Sequence, residues 1–311
     1  MSGARPSWYK PDVGLSMRMV LTIFLLGAVY VVFGVVLAHY GVPLVLLVTV
    51  AALIAFVQFF FADKIALLSM GAKIVDEAQA PQLHEMIGRL AAQANLPRPR
   101  VALVNTTMPN AFATGRDKNH AVVAVTTGIL NKLEPQEMEA VLAHELTHII
   151  NRDMLVMTIA TFFAMVAGLI VRNFFFFGGG YGGGYGRRSN NNDNGGAALA
   201  MILLVSIAVY AISFVLIRTL SRYRELAADR GSALITGDPS HLASALLRIS
   251  TDMQHIPDKD IREAQSVNAL FIVPAFKGNS MMSLLSTHPS TEERVRRLQA
   301  MQVNMEKSQR F

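Results

Sequence analysis

From Met19 to Ala62 the chain reads MVLTIFLLGAVYVVFGVVLAHYGVPLVLLVTVAALIAFVQFFFA, without one Asp, Glu, Lys or Arg. A helix needs about 20 apolar residues to cross the hydrocarbon core of a bilayer, so this stretch has room for two. His39-Tyr40-Gly41-Val42-Pro43 lies midway and carries the Gly and Pro of a tight turn. The reading is a span near 18–38, a turn, and a second span near 43–62. A cleaved signal peptide fits less well, because its apolar core is only about 7–15 residues long and a second span would not follow at once.

Composition agrees with lipid as the solvent for part of the chain. Hydrophobic residues make up 52% and charged residues 16% of the 311, against about 25% charged in an ordinary soluble domain. Two further apolar runs, Met154–Val171 and Ala197–Ile217, are each near the minimum spanning length, with a buried core helix as the plain alternative. Between them residues 178–196 are rich in Gly and Asn and cannot build a core. The expected architecture is an α-helical membrane protein with about four transmembrane helices and one polar domain split in two.

The segments are residues 1–62, an N-terminal piece with two spans; 63–153, the first polar half; 154–217, a membrane hairpin; and 218–311, the second polar half. Four spans place both polar halves on one side. Basic residues gather there, at Arg5, Lys10, Arg18, Lys64, Lys73, Arg152, Arg218, Arg222 and Arg224, against Arg172, Arg187 and Arg188 opposite. The positive-inside bias makes that side cytoplasmic. The net charge of +6 is therefore read as lipid headgroup contact, and no nucleic-acid motif accompanies it.

Within the polar halves, Leu83, Met86, Ile87, Leu90 and Ala91 give Gln82–Ala94 a helical period. Val101–Val104 and Ala121–Val125 are short β-prone runs. Pro135, with Glu137 and Glu139 behind it, suits the first turn of a helix expected to run to about Asp153. Near the end, Ser290 and Glu293 have the spacing of a capping box.

The helix that Pro135 starts contains His144-Glu145-Leu146-Thr147-His148. Residues i and i+4 project from one helical face, so His144 and His148 can offer imidazole nitrogens to one ion. With no cysteine in the chain, a metal must use His and carboxylates. Glu145 lies about 100° round the helix and reaches the neighbouring position instead, where it can take a proton from a metal-polarised water. Polar residues around the motif suggest wet histidines; two surface histidines on an ordinary helix are the bland alternative. Glu225 and Asp229 repeat the i, i+4 spacing. Glu225 suits a third ligand, and Asp229 an acceptor for a ligating histidine's other N–H. Standing alone, the pair would read as a solvated charge pair. Its strength is topological: an even number of spans returns Glu225 to the side of His148.

These residues together resemble the HtpX-type integral-membrane zinc metalloproteases, relatives of the CAAX prenyl proteases. The likeness runs over nearly the whole chain: paired N-terminal spans, Pro109-Asn110-Ala111-Phe112-Ala113, the His-Glu-x-x-His helix, Arg224-Glu225 with Ala228-Asp229, and Thr287-His288-Pro289-Ser290. Thr147 stands where the family commonly has Gly. The resemblance implies an α+β, zincin-like protease domain holding one Zn2+ per chain. It implies that Asn110, Ala111 and Phe112 lie on an edge strand that binds extended substrate, and that His288 faces the developing oxyanion. It also implies damaged membrane proteins as substrates, and residence in the bacterial inner membrane. His39, His84, His120, His241 and His255 lack ligand spacing and read as surface or turn residues.

The expectation is a zinc endopeptidase working at the membrane surface, with Glu145 as base. An intramembrane protease with its metal at bilayer depth conflicts with Glu134, Glu137, Glu139, Arg152 and Asp153 beside the motif. A catalytically idle, zinc-keeping scaffold or chaperone partner would need a fourth protein ligand, and none has suitable spacing. Nothing in the sequence specifies an oligomeric state.

Overall fold

The structure, a computed structural model, describes residues 13–39, 43–154, 156–157, 160, 167–168, 194–255, 272 and 288–309. Helix α1 (Val13–His39) buries Thr22, Leu26, Tyr30, Phe33 and Leu37, a stripe at helical spacing, and leaves Phe24, Val31 and Val35 exposed. An apolar residue facing outward all along a helix is what lipid tolerates and water does not. Helix α2 (Leu44–Ser69) follows. Together with Val209 and Leu220 further along the chain, the α1 stripe forms its own apolar cluster, and Tyr30 donates to the Ala160 carbonyl at 2.7 Å.

Two helical stretches are long and apolar enough to cross a membrane, Val13–His39 and Ala200–Thr236. Val48–Phe61 with Asp63–Ser69 would make a third, bent by 62°. The expected four spans therefore correspond to two or three among the described residues. The third apolar run, Met154–Val171, lies mostly outside them, as does most of the Gly/Asn-rich loop.

The polar part is built on a four-stranded sheet in the order β1-β2-β4-β3, with β1 Lys73–Val75, β2 Arg100–Val104, β3 Ala111–Thr114 and β4 Val122–Thr126. β2 and β4 run parallel; β1 and β3 flank them antiparallel. Strand β4 is buried at every residue, as a central strand covered on both faces must be. β3 is an edge strand. Helix α3 (Pro81–Gln93) and the short α4 (Thr127–Leu130) lead to α5 (Pro135–Asn151). Then come α6 (Asn194–Thr236), α7 (Pro239–His255) and α8 (Thr291–Gln309). Ile87, Leu90, Val123, Val125, Val141, Leu142, Leu146, Leu246 and Leu298 join sheet and helices in one core.

Two local expectations change. His84 is not a surface residue: it is buried, with Nε2 3.0 Å from the Val75 carbonyl, and so ties α3 to β1. At α8, Ser290 Oγ accepts the Glu293 N–H at 3.2 Å, but the Glu293 carboxylate takes bonds from Arg296 and Arg297. Local cations attract that carboxylate more strongly than the neutral N–H of Ser290 would.

Two helices position the site. α5 starts on Glu134 and Pro135, with the Glu134 N–H bonded to Glu137 Oε2 at 3.0 Å in a reciprocal cap. α6 is 43 residues, about 65 Å at 1.5 Å per residue, roughly twice the ~30 Å of a bilayer core. It runs unbroken through residue 217, so the apolar stretch and the stretch bearing Glu225 are one rod.

Candidate metal centre

Where α6 crosses α5, Nε2 of His144 and Nε2 of His148 lie 3.2 Å apart, and the Glu225 carboxylate completes a triangle. Its oxygens stand 3.5 Å from His144 Nε2 and 3.6 Å from His148 Nε2. Ligands about 2.0–2.1 Å from one ion in tetrahedral array are about 3.3–3.4 Å from each other. The three side chains thus fit a zinc ion by donor type and by spacing.

The histidines are not wet. His144 is 1% and His148 8% exposed, because α6 covers the face of α5 that carries them. Burial requires that each imidazole have a partner on its far side. His144 Nδ1 lies 3.0 Å from Asp229 Oδ1. His148 Nδ1 lies 2.6 Å from Asp153 Oδ2. Arg294, 1% exposed, clamps Asp229 with two bonds, Nε to Oδ2 at 2.9 Å and Nη2 to Oδ1 at 2.6 Å, and stands 3.6 Å from Glu225. Asp153 and Arg294 were not assigned these roles from sequence.

The close crossing has a cause in Gly231. A Cβ there would fall 2.2 Å from Thr147 Cγ2, so only glycine admits α6 to this depth. Thr147 is fully buried, its hydroxyl donating to the Ala143 carbonyl at 2.8 Å. The residue that departs from the family pattern is therefore accommodated across the helix crossing.

Glu145 faces the other way, toward the sheet edge. Its Oε2 accepts the Ala113 N–H at 2.8 Å. Backbone groups alternate along a strand, so Ala111 and Ala113 turn their polar groups away from β4 and toward the cleft. Ala111, Phe112 and Ala113 line a cavity of about 60 Å³ with His144, Glu145 and Glu225. Asn110 stands behind it, fully buried, its Oδ1 accepting the Ile272 N–H at 3.0 Å. Its side chain braces the strand from behind, and so it does not line the cleft as Ala111 and Phe112 do. His288 is buried at the cleft, Nδ1 3.3 Å from Glu225 Oε2.

Burial pushes the Glu145 carboxyl above its usual range, partly offset by positive charge on His144 and His148. For His144 burial disfavours the charged ring, but Asp229 and Glu225 outweigh it and push it up to about 9. A carboxylate kept from solvent beside three side chains that could hold a metal ion is an arrangement suited to metal-assisted hydrolysis.

A profile described as Peptidase family M48 matches residues 77–302. The chain belongs to peptidase family M48. It is 53% identical over 295 residues to a protease HtpX homolog of Moorella thermoacetica, covering 95% of this chain and 97% of that one. It is 52% identical to protease HtpX homolog 2 of Methanosarcina mazei, covering 96% and 98%, and 48% identical to protease HtpX homolog 1 of Streptomyces coelicolor, covering 94% of each. The fold matches the crystal structure of S. mikatae Ste24p with a TM-score of 0.54 and 17% identity, over 92% of this chain and 67% of that one. These relatives support a membrane metalloprotease, as the sequence led one to expect.

Proposed function

We propose that this M48 chain is a zinc-dependent endopeptidase that cuts membrane proteins at the membrane surface, in quality control of damaged or misfolded ones. The observation that carries the reading is the triangle of His144, His148 and Glu225 with Glu145 beside it and an edge strand alongside. Zinc held there would polarise the scissile carbonyl and make a water acidic enough to give up its proton near neutral pH.

The chain's own groups do the rest. Ala111, together with the carbonyl of Ala113, pairs with the backbone of an extended substrate, which requires no particular side chain. Glu145 receives the proton of the attacking water and passes it to the leaving amine. Ala113 orients that carboxylate through its N–H. His288 donates to the developing oxyanion. Asp153 and Asp229 fix the rings so that both Nε2 atoms face inward.

The membrane assignment is supported by the apolar stretch of α6 that runs straight into the ligand-bearing stretch. It keeps the site within a few turns of the lipid. The positive-inside bias favours a protease domain on the cytoplasmic side of the inner membrane. The test is zinc content together with proteolysis of a misfolded membrane reporter by the purified full-length protein, with and without chelator. One zinc per chain and chelator-sensitive cleavage are expected, with both lost in Glu225→Ala. Zinc retained in Glu225→Ala, or zinc present without any cleavage, would favour a scaffold.

A further inference from the structure

Beside the metal centre lies a second, larger cleft of about 350 Å³. Phe59, Thr114, Arg116, Lys118, His148 and Arg152 line it, and through His148 it shares a wall with the metal cleft. Thr114 is the last residue of β3, so a chain laid along that edge past Glu145 leads into this space.

The loop after β3 is built to hold charge there. Gly115, at φ 138°, turns the chain where a Cβ would strike the His120 carbonyl at 2.6 Å. Asp117 then caps a 3-10 turn over Lys118–His120, accepting from the N–H of Asn119 and of His120, and lies 2.8 Å from His120 Nδ1. It also stands 3.6 Å from Arg116, whose guanidinium rests 5.6 Å from the Phe60 ring. The single carboxylate lining the cleft is thus already engaged. Among the described residues Lys118 and Arg152 have no ion-pair partner, which leaves the cleft positive. The hydroxyl of Thr114, a residue only 1% exposed, likewise has no hydrogen-bond partner among them. The buried hydroxyl lacks a partner, and with Lys118 half-buried and Arg152 at the rim of the same space the cleft suits an anionic group.

We propose that this cleft takes an acidic side chain of the substrate, flanking the peptide bond presented to Glu145. The Thr114 hydroxyl and one of the two cations supply its hydrogen bonds, and Phe59 packs on its methylene stem. The inference rests on the peptidase reading and adds a sequence preference to it. An anionic lipid headgroup would satisfy the same cations, but the shared wall with the metal cleft and the strand that ends in Thr114 favour a substrate side chain.

The test uses full-length protein in detergent and peptides carrying Glu, Gln or Lys at one position at a time around a fixed bond. At one position Glu should be preferred over Lys by about tenfold or more, and the preference should shrink with salt. Lys118→Glu should weaken or reverse it while the Gln peptide is cut within about threefold of wild type. Lys118→Arg, which keeps the charge of this half-buried side chain, should keep it. Cleavage with no charge preference, or a preference unmoved by these variants, overturns the subsite. A charge reversal that lowers only binding to anionic phospholipid vesicles overturns it in favour of a lipid contact. If wild-type protein with bound zinc cuts no peptide, the peptidase reading falls and the subsite with it.

Discussion

Asp153 places its Oδ2 2.6 Å from Nδ1 of His148 although it lies five residues further along the chain. On a straight helix i+5 points about 140° away. The chain gets there because Arg152 adopts a left-handed conformation, φ 56° and ψ 37°, and ends α5 on the turn after His148. Asp153 then turns back beneath the imidazole, fully buried, with Arg224 Nε 3.4 Å from it.

Asp153→Asn keeps the shape and removes the charge that fixes the His148 ring. Zinc affinity should fall about 10–100-fold, the usual effect of losing such a partner. Competition with a fluorescent chelator measures it; an unchanged dissociation constant would remove Asp153 from the site.

Arg294 neutralises two buried carboxylates, Asp229 by two bonds and Glu225 at 3.6 Å. Arg294→Met leaves both without their cation, which costs about 3–5 kcal/mol when a buried pair is broken. Thermal unfolding in detergent should show a large drop. Arg294→Lys should recover little, because an ammonium cannot reproduce the two-pronged bond. Stability near wild type in the lysine variant would contradict this.

Both findings show where sequence reading stops. His144, His148, Glu225 and Asp229 were legible because i, i+4 spacing on a helix is a local code. Asp153 was not, since its spacing is wrong until Arg152 breaks the helix. Nor was Arg294, which meets Asp229 from 65 residues away through the docking of α8. In the fold, β2, β4, α3 and the start of α5 followed from period and capping. β1, at three residues, is too short to carry a period, and β3 reads Ala-Phe-Ala-Thr without alternation because all four residues are buried, so only the family resemblance placed Ala111 and Phe112 on an edge strand. Polar flanks suggested wet histidines because sequence does not reveal that α6 covers them.

Gly231→Ala places a methyl 2.2 Å from Thr147 Cγ2 at the helix crossing. Overpacking of this kind costs about 1–3 kcal/mol, and here it also pushes Glu225 away from the histidines. The melting temperature and zinc affinity should fall together, and Thr147→Gly in the same chain should restore part of both. Zinc affinity unchanged in Gly231→Ala would show that the crossing does not set the triangle.

Zinc bound as proposed would have to displace the proton that Asp229 and Glu225 favour on His144, whose pKa is raised to about 9. Below that value protons compete with the metal, so apparent zinc affinity should rise about tenfold per pH unit from 6.5 to 8.5 and level off above about 9. Chelator competition at three pH values checks the sign. Affinity flat across this range would mean that the ring is already neutral.

The proposed mechanism is tested most directly by Glu145→Gln in the full-length protein, assayed for zinc and for cleavage of a membrane reporter. One zinc per chain is expected, as in wild type, because Glu145 is not among the three proposed ligands, with cleavage reduced by at least about 100-fold for want of the base. Cleavage at the wild-type rate with zinc in place would contradict that mechanism.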